Sequence, residues 1–119
     1  MRLDVRNFVS PFAYPTREVD VDAVSIAAII PSFLPNALTL KLVCELINWN
    51  PNLRLYIVDD CTPPEYRARF GVFHALSMAS RRVTILRTPE NRKKAGAINY
   101  ALAAIAASPT AFPDVIVTL

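Results

Sequence analysis

Two groups of charged residues stand out as able to do chemistry: the acid pair Asp59-Asp60 and the basic run Arg92-Lys93-Lys94. A carboxylate at the end of a strand can accept hydrogen bonds from a ribose hydroxyl or from a base N–H. Cations at a helix start have the wrong sign for the helix dipole, which costs roughly a few tenths of a kcal/mol each. The free backbone N–H groups at that same end favour an anion. An anionic ligand such as a diphosphate would reconcile both facts. Between Arg81 and Lys94 there are six bases (Arg81, Arg82, Arg87, Arg92, Lys93, Lys94) and one acid, Glu90. Two plainer readings stand beside these: acids that satisfy the start of the next helix, and a solvated basic loop. Adjacent strand residues point to opposite faces, so the acid pair is a poor metal chelate unless the strand has already ended.

Other candidates are weaker. Phe33 could stack on a planar base or simply be buried. Cys61 adjoins Asp60, but His74 lies about three turns along the following helix, too far to activate a thiol. Cys44 and His74 read as packing or surface residues. Gly96 sits one turn inside a helix, where glycine costs about 1 kcal/mol relative to Ala. Close approach of the helix to the sheet, or of a ligand to the backbone, would explain it, and so would tight packing beside Ala95 and Ala97.

The elements that must position these residues can be read from periodicity. Val24–Ile30 is a short continuous apolar run stopped by Pro31, the pattern of a strand covered on both faces. After Pro35, Asn36 can cap a helix whose Leu38, Leu42, Leu46 and Trp49 fall on one face. Leu53–Val58 is the second strand, with the acids at its carboxyl end. Thr62-Pro-Pro-Glu65 has the form of a capping box, opening a helix with Tyr66, Phe70, Phe73 and Leu76 inward. Val83–Leu86 is the third strand. The third helix runs to about Ala107 with Ala95, Ile98, Leu102 and Ile105 on one face. Val115–Leu119 is the fourth strand. Residues 1–23 show no sustained period and read as an extended lead-in.

The order β-α-β-α-β-α-β predicts an α/β, three-layer, Rossmann-like and mostly parallel sheet. Ligands bind such sheets beyond the carboxyl ends of the strands. Pro31–Asn36, Asp59–Thr62 and Thr88–Lys94 should therefore converge.

Composition excludes several classes. The 119 residues are 53% hydrophobic and 19% charged, so the chain is neither a disordered tail nor more than one domain. Two glycines exclude a glycine-rich phosphate loop, two cysteines a disulfide scaffold, and one histidine a His-based metal site. A net charge of +3 is too small to argue for nucleic acid. No apolar run approaches the ~18 residues of a membrane span. No signal peptide or glycosylation sequon is visible, so a cytoplasmic setting, or the cytoplasmic face of a membrane, is expected.

Three segments resemble the family-2 glycosyltransferases of the GT-A fold. Val24–Phe33 resembles that family's opening strand, usually followed by Pro-Thr-Tyr-Asn. Leu55-Tyr-Ile-Val-Asp-Asp60 resembles its strand ending in Val-Asp-Asp-Gly-Ser. Thr88–Asn99 is similar to its Glu-Asn-x-Gly-Lys-Ala-Gly-Ala-Leu-Asn segment, and Lys94-Ala95-Gly96 points to the processive cellulose- and hyaluronan-synthase branch. The blocks come in family order across residues 24–119.

This resemblance implies transfer of a sugar from a nucleotide diphosphate donor, often UDP, to a hydroxyl acceptor with inversion. It implies that Pro31 and Phe33 line the base, that Asp60 with Asp59 beside it bonds the uracil or ribose, and that Lys94 approaches the diphosphate. It also implies a Mn²⁺- or Mg²⁺-binding Asp-x-Asp directly after a strand like Val115–Leu119. No metal ligand or catalytic residue is expected within this stretch. The expectation is that it is the incomplete, donor-binding half of a longer enzyme and inactive alone. Any membrane contact would come through other parts of that enzyme. Leu34 stands where the family has Asn, and Cys61-Thr62 where it has Gly-Ser. A nucleotidyltransferase-like enzyme and a non-catalytic Rossmann-like module with a basic face are the rival readings.

Overall fold

The computed structural model describes residues 2–4, 18–20 and 24–119. The first two segments are short strands, β1 (Arg2–Asp4) and β2 (Glu18–Asp20), paired antiparallel with Leu3 opposite Val19. They form their own two-stranded sheet and do not join the main one. The rest of the expected lead-in lies outside the described residues.

The main body runs β3 (Ile26–Ser32), α1 (Ala37–Trp49), β4 (Arg54–Asp59), a 3₁₀ helix (Pro64–Phe70), α2 (Gly71–Ala79), β5 (Val83–Arg87), α3 (Lys93–Ala107) and β6 (Val115–Thr118). Its four strands form one wholly parallel sheet in the order β5-β4-β3-β6. The α/β Rossmann-like architecture expected from the alternation is present.

The pleat of β3 and β4 divides the core into two layers. Ile26, Ala28 and Ile30 of β3 join Leu55 and Ile57 of β4 against Val43, Phe70 and Phe73 of the α1–α2 side. Ala27, Ile29, Tyr56 and Val58 face the opposite way, onto Ala97, Ala101 and Ile105 of α3. Both faces of these strands are covered, which is why their sequences are continuous apolar runs rather than alternating ones. β3 continues through Pro31 to Ser32, opposite Val58 and Asp59.

Helix faces depart from expectation. In α1 the buried residue is Val43, flanked by Leu40, Leu42, Leu46 and Ile47, whereas Leu38 and Trp49 are exposed. The helix carries two adjacent apolar stripes, and periodicity alone could not say which one meets the sheet. In the second helix Tyr66 is exposed rather than inward, with the Arg69 guanidinium 5.0 Å from its ring centre. The first turns there are 3₁₀, which changes the phase of the inward face. Phe70 and Phe73 are buried as expected, their rings 6.0 Å apart. In α3 the inward line is Ala97, Ala101 and Ile105, and Ala95 is exposed.

The capping box at Thr62 does not form. Pro63 occupies the cap position, with no side-chain hydrogen bond. Thr62 is instead buried, its N–H donating to Asp59 Oδ1 at 2.9 Å and its carbonyl accepting from Arg87 at 3.1 Å. Among the described residues no helix is long and apolar enough to cross a membrane.

Candidate functional site

Strands β3, β4 and β5 end along one rim. There, Pro31, Ser32, Phe33, Asp60, Asn91, Lys93 and Lys94 line a cavity of about 280 Å³. Of the residues singled out in the sequence, Pro31, Phe33, Asp60 and Lys94 meet here. Lys93 of the basic run also borders it, though the resemblance implies a binding role for Lys94 alone, and Ser32 and Asn91 were not singled out. Phe33 is half exposed at the cleft, and Asp60 is 4% exposed.

Asp60 couples the end of β4 to the start of α3. Its Oδ1 accepts from Thr88 Oγ1 at 2.9 Å and from the Arg92 N–H at 2.8 Å. Its own N–H donates to the Ser32 carbonyl at 3.0 Å, which closes the rim toward β3. Both described hydrogen bonds to the carboxylate fall on Oδ1. Oδ2 makes no hydrogen bond among the described residues.

Asp59 does not face this cleft. Successive residues of a strand project to opposite sides, and Asp59 lines a separate cavity with Arg67, Phe70, His74, Ile85 and Arg87. Its Oδ2 accepts from Arg87 at 2.6 Å and its Oδ1 from the Thr62 N–H. The two acids therefore split into one that holds the β4–β5 end together and one that borders the cleft.

The basic run sorts in the same way. Arg82 donates to the carbonyls of Asn50, Leu53 and Ile47. Arg87 is taken by Asp59. Arg92 turns back along α3, its guanidinium 5.3 Å from the Tyr100 ring centre and 3.7 Å from Glu90. Lys93 and Lys94 have no ion pair among the described residues and border the cleft. Gly96 is explained by this local path: a Cβ there would lie 2.5 Å from the Arg92 Cβ. The neighbour is the helix start itself, not the sheet.

Each of the three rim loops carries one non-glycine residue with left-handed backbone: Leu34 (φ 54°), Cys61 (φ 55°) and Lys93 (φ 61°). A side chain with a Cβ pays roughly 1–2 kcal/mol in that conformation. These are the positions where the family pattern has Asn, Gly and Gly.

Divalent metal ligation does not fit these residues. Among the described residues no group of three or more His, Cys, Asp or Glu side chains could hold an ion. Asp59 is committed to Arg87 and Thr62, and the cleft contains a single carboxylate.

The parallel α/β sheet thus carries a cleft at its carboxyl rim, where such folds bind ligands, bordered by a buried acid and two lysines without an ion pair among the described residues. The family model for glycosyl transferase family 2 matches residues 27–114. The chain belongs to that family, and its activity class is glycosyl transfer. Neither the curated proteins nor the solved structures contain a match to it.

Proposed function

We propose that the rim cleft binds the nucleoside diphosphate of a sugar donor, with uridine as the nucleoside. One observation carries this reading: Asp60 and Lys94 come from separate segments and border the same cleft. Pro31 and Phe33 flank the base. Asp60 Oδ2 accepts from the ribose or the base, on a carboxylate already held in place by Thr88 and Arg92. Lys94 neutralises the diphosphate near the N–H groups at the start of α3. With the donor bound this way, an acceptor hydroxyl displaces the diphosphate directly and inverts the sugar's anomeric carbon. No residue of this chain is assigned as the base for that step. The Lys94-Ala95-Gly96 segment favours the processive synthase branch of the family.

Calorimetric titration with UDP, without added metal, tests the reading. UDP should bind, and Lys94→Ala should weaken it by about tenfold, the scale of one charge-assisted hydrogen bond. Unchanged affinity in that variant would overturn the role of Lys94. Equal binding of any polyanion, lost steeply with salt, would favour a basic interaction face instead.

A further inference from the structure

We infer that Lys93 is a second phosphate-binding cation that makes the cleft select a nucleoside diphosphate over the monophosphate or the nucleoside. This rests on the proposed donor site and goes beyond it. Lys93 borders the cleft beside Lys94 and Asn91. Its ammonium has no ion-pair partner among the described residues, although Asp60 borders the same cavity. Asp60 is 4% exposed and has Oδ2 without a described hydrogen bond, so a polar ligand group is called for at the far wall.

Two features of Lys93 oppose the stability of the free protein. It holds a left-handed backbone at φ 61°, and it places a positive charge in the first turn of a helix that has no acid there. A glycine would remove both. Leu34 and Cys61 share the left-handed geometry, yet neither borders the cleft nor carries a charge. Among the described residues Lys93 is thus the one left-handed, non-glycine residue that borders the cleft. An anion with two phosphates offers a second charge for it, whereas one phosphate is already matched by Lys94.

Two variants separate charge from backbone. Lys93→Gly should raise the thermal midpoint by about 3–6 °C while weakening UDP by about five- to tenfold. Lys93→Gln keeps the left-handed strain and should show the same loss of UDP affinity with no comparable rise in midpoint. Uridine affinity should be unchanged in both, and the UDP loss should shrink at high salt. If wild type binds UDP and both variants bind it equally well, Lys93 has no role and the donor site stands. If wild type binds neither UDP nor uridine, the donor site itself falls, and this inference falls with it.

Discussion

Two helices begin at the same rim of the sheet in opposite ways. At α1 the cap is local and neutral. Asn36 Oδ1 accepts from the Leu38 and Thr39 N–H groups at 3.0 and 3.2 Å, and Thr39 Oγ1 accepts from the Asn36 N–H at 3.3 Å. Everything needed lies within four residues. At α3 the N-cap residue Arg92 makes no side-chain cap, Asn91 Oδ1 accepts only the Lys93 N–H at 3.0 Å, no acid lies in the first turn, and two lysines do. Its long-range anchor comes from just beyond β4, through Asp60 accepting the Arg92 N–H. One helix start closes on itself. The other sets the positive charge of Lys93 and Lys94 beside a cleft, the arrangement on which the proposed diphosphate site rests.

Removing the distant anchor is the strongest way to break this contrast. Asp60→Ala leaves the Arg92 N–H and Thr88 Oγ1 without their acceptor, and should destabilise the fold by about 2–4 kcal/mol. Urea unfolding measures that, and calorimetry should find UDP binding gone. A loss well under 1 kcal/mol would show that α3 starts unaided, as α1 does. Asp59→Ala supplies the matched control. Its carboxylate holds Arg87, whose side chain is 36% exposed, so the expected loss is about 2–3 kcal/mol, below that of a fully buried pair. UDP affinity at temperatures where the variant is folded should stay near wild type, because Asp59 lines a different cavity.

The next effect has a sign that tests the packing of the α3 start. Helix propensity alone favours Gly96→Ala by about 1 kcal/mol. The Arg92 Cβ, 2.5 Å from the new methyl, is fixed to the backbone and cannot swing aside. The expected outcome is a net loss of about 1–2 kcal/mol by chemical denaturation, and a gain would show that the turn around Arg92 yields freely. Asn36→Ala, at the closed helix start, should cost about 1 kcal/mol. It should leave UDP affinity untouched, so that stability and binding separate between the two ends.

The sheet is legible because its two central strands, buried on both sides, are unbroken apolar runs, Ile26–Ile30 ending at a proline and Leu55–Val58 ending at an acid pair. The convergence of Pro31, Phe33, Asp60 and Lys94 follows from that strand order. The helix faces were harder to read, since α1 carries two apolar stripes and the segment after Pro63 begins as 3₁₀. Thr62 resembled a cap only in its local spelling; Asp59, three residues earlier, reaches its N–H first. The pleat separates Asp59 from Asp60, and the alternation rule anticipates that split, but only the Arg87 contact shows which acid turns away from the cleft. Nothing in a run of three bases reveals that its middle member has a positive φ.

That hidden geometry leads to the smallest expected effect. Cys61 has the same left-handed backbone as Lys93, but its thiol makes only long contacts, 3.7 Å to the Pro89 carbonyl and 3.8 Å from the Arg87 guanidinium. Glycine removes the roughly 1–2 kcal/mol of left-handed strain and adds backbone entropy to the unfolded chain, which takes back roughly 0.5–1 kcal/mol. Cys61→Gly should therefore stabilise the fold by about 0.5 kcal/mol in urea unfolding and leave UDP affinity unchanged. Lys93→Gly shares the stabilisation and should lose affinity. If Cys61→Gly weakened UDP as much as Lys93→Gly, the left-handed turns would be acting through the shape of the rim, and the contrast between a charged and an uncharged strained residue would dissolve.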